Sequence, residues 1–323
     1  MTPMIRMTRM TRMTPYLSTL RLFLGLSVLL IGSACDRPEA PGRGVSDPRT
    51  IAVSNYPLAY FSERIGGERI NVDWRIPKDI DPSSWSPDGD DLAAIQGADL
   101  IFLNGATYEK WLPTASLPVS RVVDTTAGVK DQLLPSGDGS IHAHGPEGSH
   151  SHVGTASTTW LNPEIAIAQA TMIHDSLVRI LPAHQEEFTS NLGLLIRELQ
   201  ERSAPIEQAV NAAPKTPVFF NRPVYQYLVD RFRMNGTSLQ WEAGATPTTE
   251  QLEELEALQV DHPAAWFIWE SPPTPEAIAA LQERGLQSIV FAPCGNRPES
   301  GDLLETFDAN AIELRRVYGV EED

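Results

Sequence analysis

The sequence predicts an α/β protein: two Rossmann-like lobes with mostly parallel sheets, joined by a long spine helix, with a cleft between the lobes. Three observations carry that expectation. Short apolar runs of strand length alternate with segments that show helix start and stop signals, as βαβ units do. This alternation occurs twice, on either side of one long amphipathic stretch. The 323 residues are enough for two ordinary domains.

In the first lobe "TIAVSN" reads as a strand, and "YPLAYFSERIGG" as a helix closed by Gly66 and Gly67. "INVDWRI" is a second strand. "SPDGDDLAAIQG" reads as a helix with Ser86 as N-cap, Pro87 at the first helical position and Gly97 beyond the end. "ADLIFLNG" and "RVVDTT" are two further strands.

Between the lobes lies "AHQEEFTSNLGLLIRELQERSAPIEQAVNAA". Phe188, Leu192, Leu195 and Leu199 follow a 4-3-4 spacing, which is one face of a helix. A helix over 183–211 would run roughly 40 Å, and Pro205 should kink or break it. Such a spine limits how far the cleft can open, because a helix bends less than a loop hinge. In the second lobe "TPVFF", "TSLQW", "AWFIWE" and "SIVFAP" read as strands. Thr248 and Gln251 have the spacing of a capping box. Thr274 is the expected N-cap of a helix that starts at Pro275 and stops by Gly285.

The N-terminus differs in composition. Arg6, Arg9, Arg12 and Arg21 precede the apolar run "LFLGLSVLLIG", too short to span a membrane, as in an export signal. The run ends in "GSAC". It resembles a bacterial lipoprotein signal, with Cys35 as the lipidated residue, although Gly32 stands where that family prefers Leu. "DRPEAPGRGVSDP" follows as a Pro/Gly tether. The expected organisation is a signal peptide over 1–35, a tether over 36–48 and an N-terminal lobe over 49–165. A linking spine region over 166–213 and a C-terminal lobe over 214–323 follow. With Cys35 lipidated, Cys294 has no disulfide partner and is expected to be buried and inert.

Charge narrows the function. The formal net charge of −17 argues against nucleic acid, which needs clustered Lys and Arg. No H-E-x-x-H, G-x-S-x-G, P-loop or dinucleotide fingerprint is present, so an enzyme is not expected.

Several stretches together resemble the zinc- and manganese-type solute-binding lipoproteins of bacterial ABC uptake systems. They are "SNYPLAYFSERIGGERINV", "DPSSWSPDGDDLAAIQGADLIFLNGATYEKWL", "TTWLNPEIAIAQA", the spine helix and "FAPCGN". The resemblance implies a metal cleft between the lobes, an exported and lipid-anchored monomer at the periplasmic or outer face of the membrane, and delivery of the ion to an ABC permease. It also implies four ligand positions, and here these are Ser83, Thr158, Asn221 and Ala292. Three are weak partners for zinc and the fourth is none.

The chain's histidines gather elsewhere. "SIHAHGPEGSHSHVGTASTTWLNP" places His142, His144, His150 and His152 in a His-rich loop over 140–155. In extended chain each His-x-His pair aims both imidazoles one way, and "GPEGS" between them is turn-forming. Up to four nitrogens can then converge, with Glu147 beside them. Imidazole suits zinc, and also copper or nickel; the family adds manganese. Glu242 and Glu270, each past a strand end of the second lobe, are candidate acids to complete a site. His174, His184 and His262 are expected to be structural, and Trp85, Trp160, Trp241 and Trp269 to be core or cleft wall. The leading expectation is a zinc receptor. The alternative is a degenerate family member without tight metal binding, acting as an interaction protein or a metal buffer.

Overall fold

The structure is a computed structural model that describes residues 48–136, 154–242 and 244–320. The signal over 1–35 with Cys35, all but the last residue of the tether, and the histidines at 142, 144, 150 and 152 lie outside the described residues.

Each lobe is built on a four-stranded, all-parallel sheet. In the first, β1 (Arg49–Val53), β2 (Ile70–Asp73), β3 (Leu100–Leu103) and β4 (Val122–Asp124) take the order β2-β1-β3-β4. In the second, β5 (Pro217–Phe220), β6 (Asn235–Ser238), β7 (Trp266–Trp269) and β8 (Gln287–Val290) repeat it as β6-β5-β7-β8. The central strands read as continuous apolar runs because helices cover both faces of a parallel sheet. In both sheets the order reverses between the first and third strands. Ligands of open α/β sheets gather at such a switch point, past the carboxyl ends of the strands.

The helices start where side chains can satisfy free amides. Asn55 caps α1 (Tyr56–Gly66), accepting from the Leu58 amide at 3.0 Å, and Gly67 ends it at φ +51°. Thr248 and Gln251 form the expected capping box of α6 (Thr249–Asp261), and Thr274 caps α7 (Pro275–Gln282). The start of α2 (Gly89–Gly97) differs from expectation: its cap is Asp88, not Ser86. The Asp88 carboxylate accepts from the amides of Asp90 and Asp91, both at 2.9 Å. Two charge-assisted bonds outcompete a serine hydroxyl. The sixth strand is shifted toward the N-terminus, lying at Asn235–Ser238 and sharing only Thr237 and Ser238 with "TSLQW". Pairing with β5 defines this polar edge strand, and no apolar alternation marks it.

α3 (Pro163–Ile180) leads into the spine, α4 (Gln185–Ala212), and α5 (Gln226–Phe232) follows β5. The spine's 28 residues span about 42 Å. Pro205 lies inside α4 and does not end it. Leu195 and Leu199 before it and Ile206, Ala209 and Val210 after it are buried. Burying side chains of this size at about 1.5–3 kcal/mol each outweighs a proline cost of about 3 kcal/mol. α1, α3 and α8 (Leu303–Tyr318) pack on the spine. One hydrophobic cluster runs through Ile51 and Phe102 of the first sheet, Phe188 and Leu195 of the spine, and Phe220 and Phe291 of the second lobe. The lobes therefore share a core.

Candidate functional site

A cavity of about 1330 Å³ opens between the carboxyl ends of the two sheets. The first lobe contributes the loop after β2, the Thr107–Lys110 segment and the turn before α3. The second contributes the residues just past β5, β7 and β8.

Ser83, Thr158 and Ala292 all line this cavity, and Asn221 sits fully buried behind the wall. None is a strong ligand for a divalent ion. The Thr158 hydroxyl donates to the Val224 carbonyl, and the Ser83 amide to Asp81 Oδ1 at 2.9 Å. Asn221 accepts the Glu270 amide on its side-chain oxygen at 3.0 Å, while its own Nδ2 has no hydrogen-bond partner. Among the described residues, no group of three or more His, Cys, Asp or Glu is placed to hold a metal ion. As they are arranged, the donors in the described cleft present no site for a divalent ion.

What stands at the switch point of the second lobe is an ion pair. Arg222, two residues past β5, donates through Nη1 to Glu270 Oε1 at 2.7 Å. Glu270 is the first residue past β7, so the adjacent central strands β5 and β7 set the two side chains against one another. Arg222 Nη2 also reaches Asp81 Oδ2 of the first lobe at 4.0 Å. Burial pushes the Glu270 carboxyl above its ordinary range, and the Arg222 charge and hydrogen bond only partly offset that. Tyr108, against Trp160 with ring centroids 5.7 Å apart, has its hydroxyl raised well up by burial and then by the Asp81 charge.

Of the two acids expected in the second lobe, Glu270 lines the cavity, whereas Glu242 is exposed and does not. The histidine segment lies outside the described residues, but its flanks do not. Pro135 and Thr155 form an antiparallel bridge, and the Ser136 amide donates to the Gly154 carbonyl at 2.7 Å. Ser136, Gly154 and Thr155 all line the cavity. His174 bonds Asp175 and Thr189, His184 pairs with Glu187 and His262 meets the Val218 carbonyl at 3.0 Å; none lines the cleft. Trp160, Trp241 and Trp269 are buried, and Trp85 packs edge-on against Trp111. Cys294 is buried at φ +58°, and burial pushes its thiol up to about 11.

The sequence reading did not single out Arg222, Asp81 or Tyr108. The signal for Arg222 was available: it follows a central strand at a switch point, where the side chain must face the cleft.

The family model described as zinc-uptake complex component A, periplasmic, matches residues 51–317. The zinc-binding lipoprotein AdcA of Streptococcus pneumoniae is 24% identical over 278 residues, covering 84% of this chain and 54% of that protein. The chain thus spans about half of AdcA. The high-affinity zinc uptake system protein ZnuA of Bacillus subtilis is 26% identical over 242 residues, covering 71% of this chain and 72% of that one. The manganese-binding lipoprotein MntA of Halalkalibacterium halodurans is 23% identical over 223 residues, covering 68% and 69%. Among solved structures, the Zn(II)-bound ZnuA-like domain of S. pneumoniae AdcA superposes with a TM-score of 0.72 at 19% identity, covering 84% of this chain and 99% of that one. The metal-dependent lipoprotein YcdH of B. subtilis gives 0.71 at 20%, covering 83% and 98%. These two likenesses establish the fold.

Proposed function

Because the chain belongs to the family of periplasmic zinc-uptake component A proteins, we propose that it is a receptor that captures a divalent metal, zinc foremost, outside the cytoplasmic membrane and delivers it to an ABC permease. The receptor works as a monomer held to the membrane by lipid on Cys35. The relatives named as zinc-binding and manganese-binding lipoproteins support both the cargo and the anchor. It performs no chemical step; it binds, docks and releases.

One observation carries the choice of donors. The chain leaves the described structure at Ser136 and re-enters at Gly154, and both residues line the cleft. His152 stands two residues from Gly154, which keeps their Cα atoms within about 7 Å. His142, His144, His150 and His152 are therefore the proposed metal donors, in place of the four usual positions. Glu270 can join them only by leaving Arg222, and the exposed Glu242 only from outside the cleft.

The test is a zinc titration of the full-length, metal-stripped chain in mild detergent against a competing chelator. A parallel variant carries all four histidines as alanine. One tight equivalent that disappears in the variant is the expected result. Weak, multi-equivalent binding in both proteins would overturn the reading. It would favour a family member that kept the scaffold and serves as an interaction protein or a metal buffer, which the lack of a ligand cluster among the described residues also favours.

A further inference from the structure

The cleft already contains a cation. The Arg222 guanidinium lies between Glu270 of its own lobe at 2.7 Å and Asp81 of the other at 4.0 Å. We propose that Arg222 is a specificity-determining residue: an internal, tethered positive charge that takes the place of an ion between the two lobes and excludes divalent metal from the cleft. The inference deepens the receptor reading and rests on it only for the identity of the cargo.

Four features support it. First, Glu270 is the better-buried acid, with its side chain 13% exposed against 46% for Asp81. It would be the anchor of any cleft ion, and Arg222 holds one of its oxygens. An ion bound to its other oxygen at about 2 Å would sit beside a permanent positive charge. Second, a guanidinium stays protonated in proteins and cannot vacate the site by losing charge, as a lysine can. Third, Glu270 is fixed at its own backbone, because its amide donates to the buried Asn221 side chain at 3.0 Å. Turning it toward a metal would have to work against that anchor as well as the ion pair. Fourth, the loop that carries Asp81 is clamped from the second lobe. Asn296 Nδ2 donates to the carbonyls of Pro77 and Ile80 at 2.7 and 2.8 Å. Arg222 thus meets an acid from each lobe in a frame that needs no ion to assemble it.

The experiment uses the full-length chain with His142, His144, His150 and His152 all changed to alanine, so that the cleft alone is read. Zinc is titrated against a chelator. The expectation is that this background binds no tight equivalent. Adding Arg222→Met, or Arg222→Gln if the first variant does not fold, should create one equivalent at least tenfold tighter than the background. A further Glu270→Gln change should remove it. The proposal fails if the background already binds one tight equivalent that Glu270→Gln abolishes, or if a folded, neutral Arg222 variant gains nothing. These outcomes are independent of the histidine test. Loss of zinc on removing the histidines reports on the receptor reading, and gain of zinc on neutralising Arg222 reports on the cleft.

Discussion

Asn296 reaches across the lobe boundary and donates to the Pro77 carbonyl at 2.7 Å, with the Ile80 carbonyl at 2.8 Å and that of Lys78 at 3.3 Å around the same amide nitrogen. One side chain of the second lobe thereby fixes the approach to Asp81 and Ser83. Asn296→Ala is expected to destabilise the protein by only about 1 kcal/mol, as for a hydrogen bond near the surface. Its main effect is local. Amides around 80–85 should exchange faster by hydrogen–deuterium mass spectrometry, while those of β1 and β3 stay unchanged. Unchanged exchange in that loop would show that the clamp is dispensable.

The spine should behave as core rather than as linker. Leu195 is fully buried midway along the helix and belongs to the cluster shared by both lobes. Leu195→Ala should cost about 2–5 kcal/mol, read from urea unfolding. The two lobes should still unfold in one transition. Two separated transitions would contradict a shared core.

Glu109 sets a pH dependence. It is buried beside the cleft segment and accepts the Asn104 amide at 2.6 Å. Burial, only partly offset by hydrogen bonds, raises its carboxyl from 4.5 to about 7. The folded state keeps the proton up to about pH 7, while the unfolded chain gives it up near 4.5, so stability falls as pH rises through that window. The loss is of order 3 kcal/mol. Glu109→Gln should flatten this slope and be the more stable protein at pH 8. Urea midpoints at pH 5, 6, 7 and 8 check it, and a wild-type profile that rises across this range would contradict it.

Cys294 should be silent toward thiol reagents. With its thiol pushed up to about 11 by burial, the reactive thiolate is scarce at pH 8. Peptide mapping after brief alkylation should find Cys294 unmodified in the folded protein and modified in urea. Modification of the folded protein at the rate seen in urea would refute the assignment.

The scaffold was legible because its signals are local. Apolar strand runs, the Thr274 cap, the Thr248–Gln251 box and the spacing from Phe188 to Leu199 each needed only a few neighbouring residues. Where the reading missed, a partner distant in sequence decided the outcome. The polar strand Asn235–Ser238 exists through its pairing with β5. Pro205 does not break the helix, because packing holds both sides of it. The cleft was half legible. The positions Ser83, Thr158 and Ala292 surround one cavity, yet the pair that occupies it, Arg222 and Glu270, lies 48 residues apart. Only the strand order brings the two together.

The bridge between Pro135 and Thr155 also bears on how such a chain can change over time. Its two ends are tied by backbone at the cleft wall, so the 17 residues between Ser136 and Gly154 form an exchangeable cassette. Doubling a tied loop costs only about 0.6 kcal/mol of closure entropy. Donor number, donor type and spacing can therefore drift there without threatening the fold, while the cleft keeps its own fixed charge. Innovation in cargo is separated from inheritance of the frame.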